Sequence, residues 1–146
     1  MSDKLFSSTI SYLKIATLFG LLMCFVLMPF KSFDPMGAEG LEGMIMNDLY
    51  GGKNMPADAR PAFEFAFLLF DLLSILSLAT QYLVIKYALE KREKWAYWYM
   101  WGIGFLWPVG ASLIALHTGA HAYFVSVGIM TLLFFPPLLL LKKYFR

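Results

Sequence analysis

The chain contains two histidines, which lie four residues apart in the sequence HTGAH. On one continuous helix, His117 and His121 would project from the same face, as two ligands of a metal ion or a haem group must. In a turn between two helices, the same side chains would instead bond to water and loop backbone. The choice depends on whether a helix runs through residues 117–121 or ends within them.

A line of polar residues in a long apolar segment forms a second candidate site. Its members recur at the spacing of one helix face and are Glu64, Asp71, Ser74 and Gln81. A polar face on a helix that crosses a membrane turns toward other protein groups rather than toward lipid. Asp71 would then lie near the middle of the bilayer, where a carboxyl group must be protonated, paired or hydrated. The line indicates either a ligand- or proton-binding site around Asp71 or an interhelical hydrogen bond.

The segments that carry these residues are long and apolar. Of the 146 residues, 60% are hydrophobic, whereas a soluble domain has about 45–50%. Four segments reach the roughly 20 residues that a helix needs to cross a bilayer. They comprise about residues 10–30, 63–88, 95–116 and 122–141. We therefore predict an all-α membrane protein with one domain over residues 1–146, folded as a bundle of four transmembrane helices.

The cationic residues predict the orientation of this bundle. Nine of the twelve lie on one side of the predicted membrane, at the termini and the second connection. Because cytoplasmic segments carry an excess of lysine and arginine, we expect both termini and residues 90–94 to be cytoplasmic, in a bacterial inner membrane. The nine are Lys4, Lys14, Lys86, Lys91, Arg92, Lys94, Lys142, Lys143 and Arg146. The other three, in or next to the predicted external loop 31–60, are Lys31, Lys53 and Arg60.

The external segments have predictable local structure. Within residues 31–60, apolar side chains at helical spacing predict a short amphipathic helix. They are Leu41, Met44, Ile45 and Leu49. Between the third and fourth spans, only a tight turn fits, and Gly119 suits the end of a helix. The helix should therefore break between His117 and His121, which could then meet only across the turn.

Three prolines remove backbone donors from the last two predicted helices. Pro108 leaves the carbonyl of Gly104 without its helical partner, at about the depth of Asp71. We expect the kink at Pro108 to lie beside Asp71, because irregular backbone within a membrane is tolerated where protein or water satisfies it. Pro136 and Pro137 similarly affect the fourth helix, where the carbonyls concerned are those of Leu132 and Leu133.

The sequence contains no motif of a nucleotide-binding loop, a zinc protease, a serine hydrolase or a thiol–disulfide oxidoreductase. Cys24 is the single cysteine, so no disulfide can form within the chain. The net charge of +2 reflects membrane topology rather than nucleic-acid binding. The expected partners are the lipid bilayer and other membrane chains, including further copies of this one.

Three functions from different classes fit these observations. The first is a non-catalytic subunit or scaffold that packs within a membrane assembly, and we favour it. The second is a small bundle that binds or transports a ligand, an ion or a proton at an interior site around Asp71. The third is a membrane enzyme that uses a metal or haem held by His117 and His121. No motif assigns a cofactor.

Overall fold

The computed structural model describes residues 2–33, 41–51 and 58–145, and this part of the chain is helical. Within these ranges four helices are long and apolar enough to cross a membrane, which confirms the prediction of four such helices. The helices are α1 (Ser2–Phe33), α2 (Leu41–Tyr50), α3 (Arg60–Val84), α4 (Lys94–Thr118) and α5 (His121–Leu141). A π-helical turn (Ile85–Leu89) extends α3, and a 3-10 turn (Lys142–Tyr144) follows α5.

The first helix differs from its predicted span. It begins at Ser2 rather than near residue 10. The additional turns are stabilised by contacts that span the whole chain, because the Phe6 ring packs edge-on against Tyr144 with 5.0 Å between centroids. Such a contact between the two ends of the sequence leaves no local periodic signal, so the sequence alone did not predict it.

The largest buried cluster lies where the chain ends meet the turn between α3 and α4. Tyr97 stacks on Phe145 at 4.8 Å, and the cluster joins α1, α4, α5 and the π-helical turn. We call this the terminal end of the bundle, and the opposite end, which carries α2 and the α4–α5 turn, the hairpin end. The buried members are Phe6, Ile10, Leu13, Ile85, Ala88, Leu89, Ala96, Tyr97, Met100, Leu138, Leu141 and Phe145.

The long helices pack as a row more than as a closed ring. α1 contacts both α3 and α5, and α4 contacts α5. In the described residues, α3 and α4 are consecutive but share few contacts apart from the turn that joins them. α1 lies close to α3 at Gly20, because a Cβ atom there would lie 3.4 Å from a methyl group of Leu78. α1 and α5 are therefore central, and α3 and α4 flank them.

The turn between α3 and α4 ends a helix on a left-handed residue that is not glycine. The amide of Glu93 donates to the carbonyl of Ala88 at 3.0 Å, and the amide of Arg92 donates to Leu89 at 2.9 Å. This pair of bonds is the Schellman pattern, in which glycine usually occupies the left-handed position. Here Arg92 occupies it, with φ at 63°.

Side-chain contacts tie this turn to the first helix. The Arg92 guanidinium donates to the Asp3 carboxylate at 2.5 Å and lies 4.6 Å from the centre of the Phe6 ring. Further along α1, Lys14 forms an ion pair with Glu90 at 2.5 Å. The left-handed conformation costs roughly 1–2 kcal/mol for a residue with a Cβ atom, and these contacts offset that cost.

The turn between α4 and α5 uses the residue that the sequence predicts. α4 ends at Thr118, and Gly119 follows with φ at 77°. The amides of Gly119 and Ala120 both donate to the carbonyl of Ala115, which closes the last helical turn. The predicted break between His117 and His121 is therefore present.

The predicted helix in the loop is α2, and it packs against α5. Ile45 is buried, whereas Met44 and Leu49 remain substantially exposed. The apolar side of α2 is thus only partly covered by the rest of the chain. In a soluble protein such exposure would be costly, and at a membrane surface it is the usual state of an amphipathic helix.

Candidate functional site

The two histidines lie on different helices. His117 is in the last turn of α4, His121 is the first residue of α5, and both side chains are exposed. Among the described residues, no group of three or more His, Cys, Asp or Glu side chains is placed to hold a metal ion. Because metal sites in proteins usually take three or four protein ligands, two imidazoles would need further donors. A metal or haem role for His117 and His121 stays a prediction.

An acidic residue that the sequence did not single out is central to this hairpin. Asp48 of α2 accepts a hydrogen bond from the amide of Ala122 at 2.7 Å. Ala122 belongs to the first turn of α5, whose own N-cap residue, Ala120, has no side-chain acceptor. Asp48 therefore caps α5 from another helix, and its negative charge also suits the positive end of the α5 dipole. The unfilled N-cap at Ala120 is the sequence signal that could have found this partner.

Asp71 is buried within the apolar part of α3. Asp71 is 4% exposed, although most residues of α3 are not buried. Asp71 shares a helix face with Leu78, which contacts α1 at Gly20. The preceding Phe70 packs edge-on against Tyr123 of α5 at 6.2 Å. The carboxyl group thus lies on the face of α3 that packs against α1.

The other members of the polar line have partners within α3. Ser74 donates to the carbonyl of Phe70 at 2.9 Å, and the Gln81 amide donates to the Ser77 hydroxyl at 3.1 Å. Glu64 lies near the start of α3, and its side chain falls outside the described part of the structure. Ser74 and Gln81 therefore satisfy their polar groups locally, as side chains in an apolar environment must.

The same local bonding recurs on every long helix. Seven hydroxyl groups donate to a carbonyl three or four residues earlier, at 2.7–2.9 Å. They belong to Thr9, Thr17, Ser74, Thr80, Thr118, Ser126 and Thr131. A hydroxyl in this position can face lipid without an exposed donor. A polar residue type in these helices is therefore weak evidence for a binding site.

Two backbone carbonyls of α5 have no N–H partner within the helix, and a tyrosine hydroxyl lies within hydrogen-bond distance of each. Pro137 has no N–H, and the hydroxyl of Tyr12 donates to the carbonyl of Leu133 at 3.2 Å. At the end of the helix, the amide of Lys142 bonds to Leu139 instead of Leu138. The hydroxyl of Tyr97 lies 3.5 Å from the Leu138 carbonyl, at the long limit of a hydrogen bond.

Pro108 lies inside α4 and contributes to a groove on the surface of this helix. α4 continues through it, and Pro108 lines an open groove of about 590 Å³ between α4 and α5. Asp71 is not among the residues that line this groove, and a shared site of Asp71 and Pro108 stays a prediction. The groove residues are Gly104, Phe105, Pro108, Val109, Ser112, Leu113, Gly128, Thr131, Leu132 and Phe135.

The described residues thus present one buried carboxyl group, two exposed imidazoles, and an apolar groove that neither Asp71 nor the histidines line. No protein-family model, curated protein or solved structure matches this chain.

Proposed function

We propose that the four long helices cross a lipid bilayer and that the chain is a non-catalytic subunit or scaffold of a membrane assembly. The large apolar side chains that the fold leaves uncovered support the membrane location. Leu106 and Leu132 are each more than 70% exposed, and Phe65 is nearly so. Exposed apolar surface on this scale needs lipid or another protein to cover it.

The α4–α5 groove is the observation that carries the scaffold role. Its walls include glycines on both helices, Gly104 and Gly128, and the hydroxyl residue Ser112. Small residues let the backbone of another helix approach closely, and close packing is what drives helix association in a membrane. We assign the groove to a transmembrane helix of a partner chain or of a second copy.

Filling the groove tests this role. Gly128→Leu adds a side chain where no atom lies within 4 Å of a built Cβ, so the bundle itself should tolerate it. We expect association to weaken about tenfold, which corresponds to roughly 1.4 kcal/mol of lost contact. Gly110→Leu is the matched control, because Gly110 has equally open surroundings but does not line the groove.

Native mass spectrometry after purification in a mild detergent measures both variants. A partner chain or dimer that survives in the Gly110 variant and disappears in the Gly128 variant supports the assignment. Equal retention in both variants, or a strictly monomeric native protein without partners, would contradict it.

The orientation has its own test. We propose that the terminal end faces the cytoplasm, since eight of the twelve cationic residues lie there in the described part of the chain. Single cysteines at Ser2 and Thr118, in a Cys24→Ala background, can be probed with a membrane-impermeant maleimide. In intact cells position 118 should label and position 2 should not, and the reverse pattern would overturn the orientation.

The burial of Asp71 favours a second candidate, an interior site that binds a ligand, an ion or a proton. Asp71→Asn preserves a hydrogen-bonding group, and Asp71→Leu removes it at a cost of about 0.6–2 kcal/mol, typical of interhelical bonds in membranes. Loss of the cellular role in a stable Asn variant would support this candidate. If Asp71→Asn keeps the cellular role and Asp71→Leu only lowers stability, the role of Asp71 is structural.

A further inference from the structure

The terminal end carries more positive charge than its own acidic residues can balance. Its acidic residues in the described part are already engaged by neighbours. Asp3 pairs with Arg92, Glu90 pairs with Lys14, and Glu93 accepts a hydrogen bond from the Trp95 ring. The exposed lysines that form no ion pair with any described residue are Lys4, Lys86, Lys91, Lys94, Lys142 and Lys143.

Aromatic side chains place this charge at one level of the bilayer. Trp95, Trp98 and Tyr87 are all more than half exposed at the same end of the bundle. Tryptophan and tyrosine collect at the membrane–water boundary, where their rings contact acyl chains and their polar atoms contact headgroups. Lysines adjacent to such a belt lie beside the lipid phosphates.

Two cations converge on one ring at the end of α5. The Arg92 guanidinium lies 5.8 Å and the Lys143 ammonium 5.1 Å from the centre of the Tyr144 ring. Arginine carries five N–H donors, so the bond from Arg92 to Asp3 leaves others for a second acceptor. A phosphate oxygen is the acceptor that a paired arginine and lysine bind best.

We propose that the terminal end binds anionic phospholipid headgroups, with a preferred position beside Arg92, Lys142 and Lys143. The proposal rests on the membrane insertion proposed above and goes beyond it, because it names a lipid class and one end of the bundle. Charge complementarity carries the assignment, since juxtamembrane lysines are attracted to anionic leaflets. The sequence between residues 31 and 60 holds five acidic and three basic residues, so the opposite end has no such excess.

Lipid retention tests the proposal. The full chain is reconstituted in nanodiscs of equal parts phosphatidylcholine and phosphatidylglycerol, extracted in mild detergent, and its bound lipids are identified by native mass spectrometry. We expect phosphatidylglycerol to be retained in preference to phosphatidylcholine. The double variant Lys142→Gln/Lys143→Gln should weaken that retention about thirtyfold. Both side chains are exposed, so the variant should fold normally.

A matched control removes the same charge elsewhere. Lys31→Gln/Lys53→Gln deletes two lysines of the predicted external loop and should leave phosphatidylglycerol retention unchanged. Equal loss in both double variants, or equal retention of the two lipids by the native chain, would overturn the proposal. Displacement of the lipid by inorganic phosphate as effectively as by added phosphatidylglycerol would also overturn it, because the ligand would then be a free phosphate.

The same experiment separates this proposal from the proposed function. A chain that does not enter the nanodiscs contradicts membrane insertion and the lipid site together. A chain that enters and shows no lipid preference contradicts only the lipid site.

Discussion

The two turns between consecutive long helices place a residue in the same left-handed conformation by different means. At the hairpin end the residue is Gly119, for which a positive φ has no steric cost. At the terminal end it is Arg92, with a φ only 14° smaller (77° against 63°), held by contacts to Asp3 and Phe6. The first turn is stable because of its own sequence, and the second depends on side chains about ninety residues away in the chain.

Among the described residues, the other contacts at the two ends differ in the same way, being long-range at the terminal end and few at the hairpin end. The terminal end contains the buried cluster to which α1, α4 and α5 contribute, together with two ion pairs. At the hairpin end, α2 packs against α5, and the Ala122 amide of α5 donates a hydrogen bond to Asp48 of α2. We therefore expect changes at the terminal end to affect the whole bundle, and changes at the hairpin end to remain local.

The largest effect should come from the terminal cluster. Leu141 is fully buried, whereas the adjacent Leu140 is 50% exposed. Leu141→Ala should lower the free energy of unfolding by about 2–3 kcal/mol, because it leaves a cavity that the packed cluster cannot fill. Leu140→Ala, the control, should change it by less than half of that. Unfolding in mixed micelles by titration with dodecyl sulfate measures both, and equal effects would show that the terminal cluster is not the stabilising region.

The next effect concerns the glycine turn. Gly119→Ala should destabilise by roughly 1–2 kcal/mol, the cost of a Cβ atom in the left-handed region. No atom lies within 4 Å of a Cβ built at Gly119, so the cost is one of backbone conformation and not of crowding. Gly128→Ala is the control, since Gly128 is helical and equally open, and alanine there should be neutral or stabilising. A neutral Gly119→Ala would mean that the turn adopts another conformation.

A smaller and local effect should follow loss of the inter-helix cap. Asp48→Ala removes the acceptor for the Ala122 amide and should cost about 1 kcal/mol. Because the bond joins α2 to α5, hydrogen exchange should accelerate at Ala122 and in α2 and stay unchanged at the terminal end. Asp58→Ala removes an exposed carboxylate near the start of α3 and serves as the charge control. Identical hydrogen exchange in both variants would show that Asp48 does not cap α5.

The sequence predicted those features that depend on local composition. Apolar length identified the four long helices, and Gly119 located the break at HTGAH. Contacts between distant segments were not predictable in the same way. Nothing in the sequence around Arg92 indicates a left-handed residue, because the contacts that support it come from α1. The sequence also did not show which helix covers Asp71, since periodicity fixes the spacing along a helix and not the direction in which it packs.

The smallest net change in stability is expected at Arg92. Variants of this residue also test most directly whether the two turns between long helices share one backbone conformation. Arg92→Gly removes an ion pair with an exposed aspartate, worth about 0–1 kcal/mol, and a cation–π contact worth roughly 0.5–1 kcal/mol. It also removes the left-handed strain of roughly 1–2 kcal/mol, so the net change should be close to zero. Arg92→Ala loses the same contacts and keeps the strain, and it should be the more destabilising of the two.

The difference between these two variants isolates the backbone conformation at position 92. If the two turns share one conformation, as their φ angles indicate, this difference should equal the cost of Gly119→Ala, because both compare alanine with glycine at a left-handed position. The same dodecyl sulfate titration measures all three variants. Equal stability of Arg92→Gly and Arg92→Ala would mean that the turn relaxes once the arginine is gone, and that contacts with Asp3 and Phe6 impose the left-handed conformation on an otherwise adaptable segment.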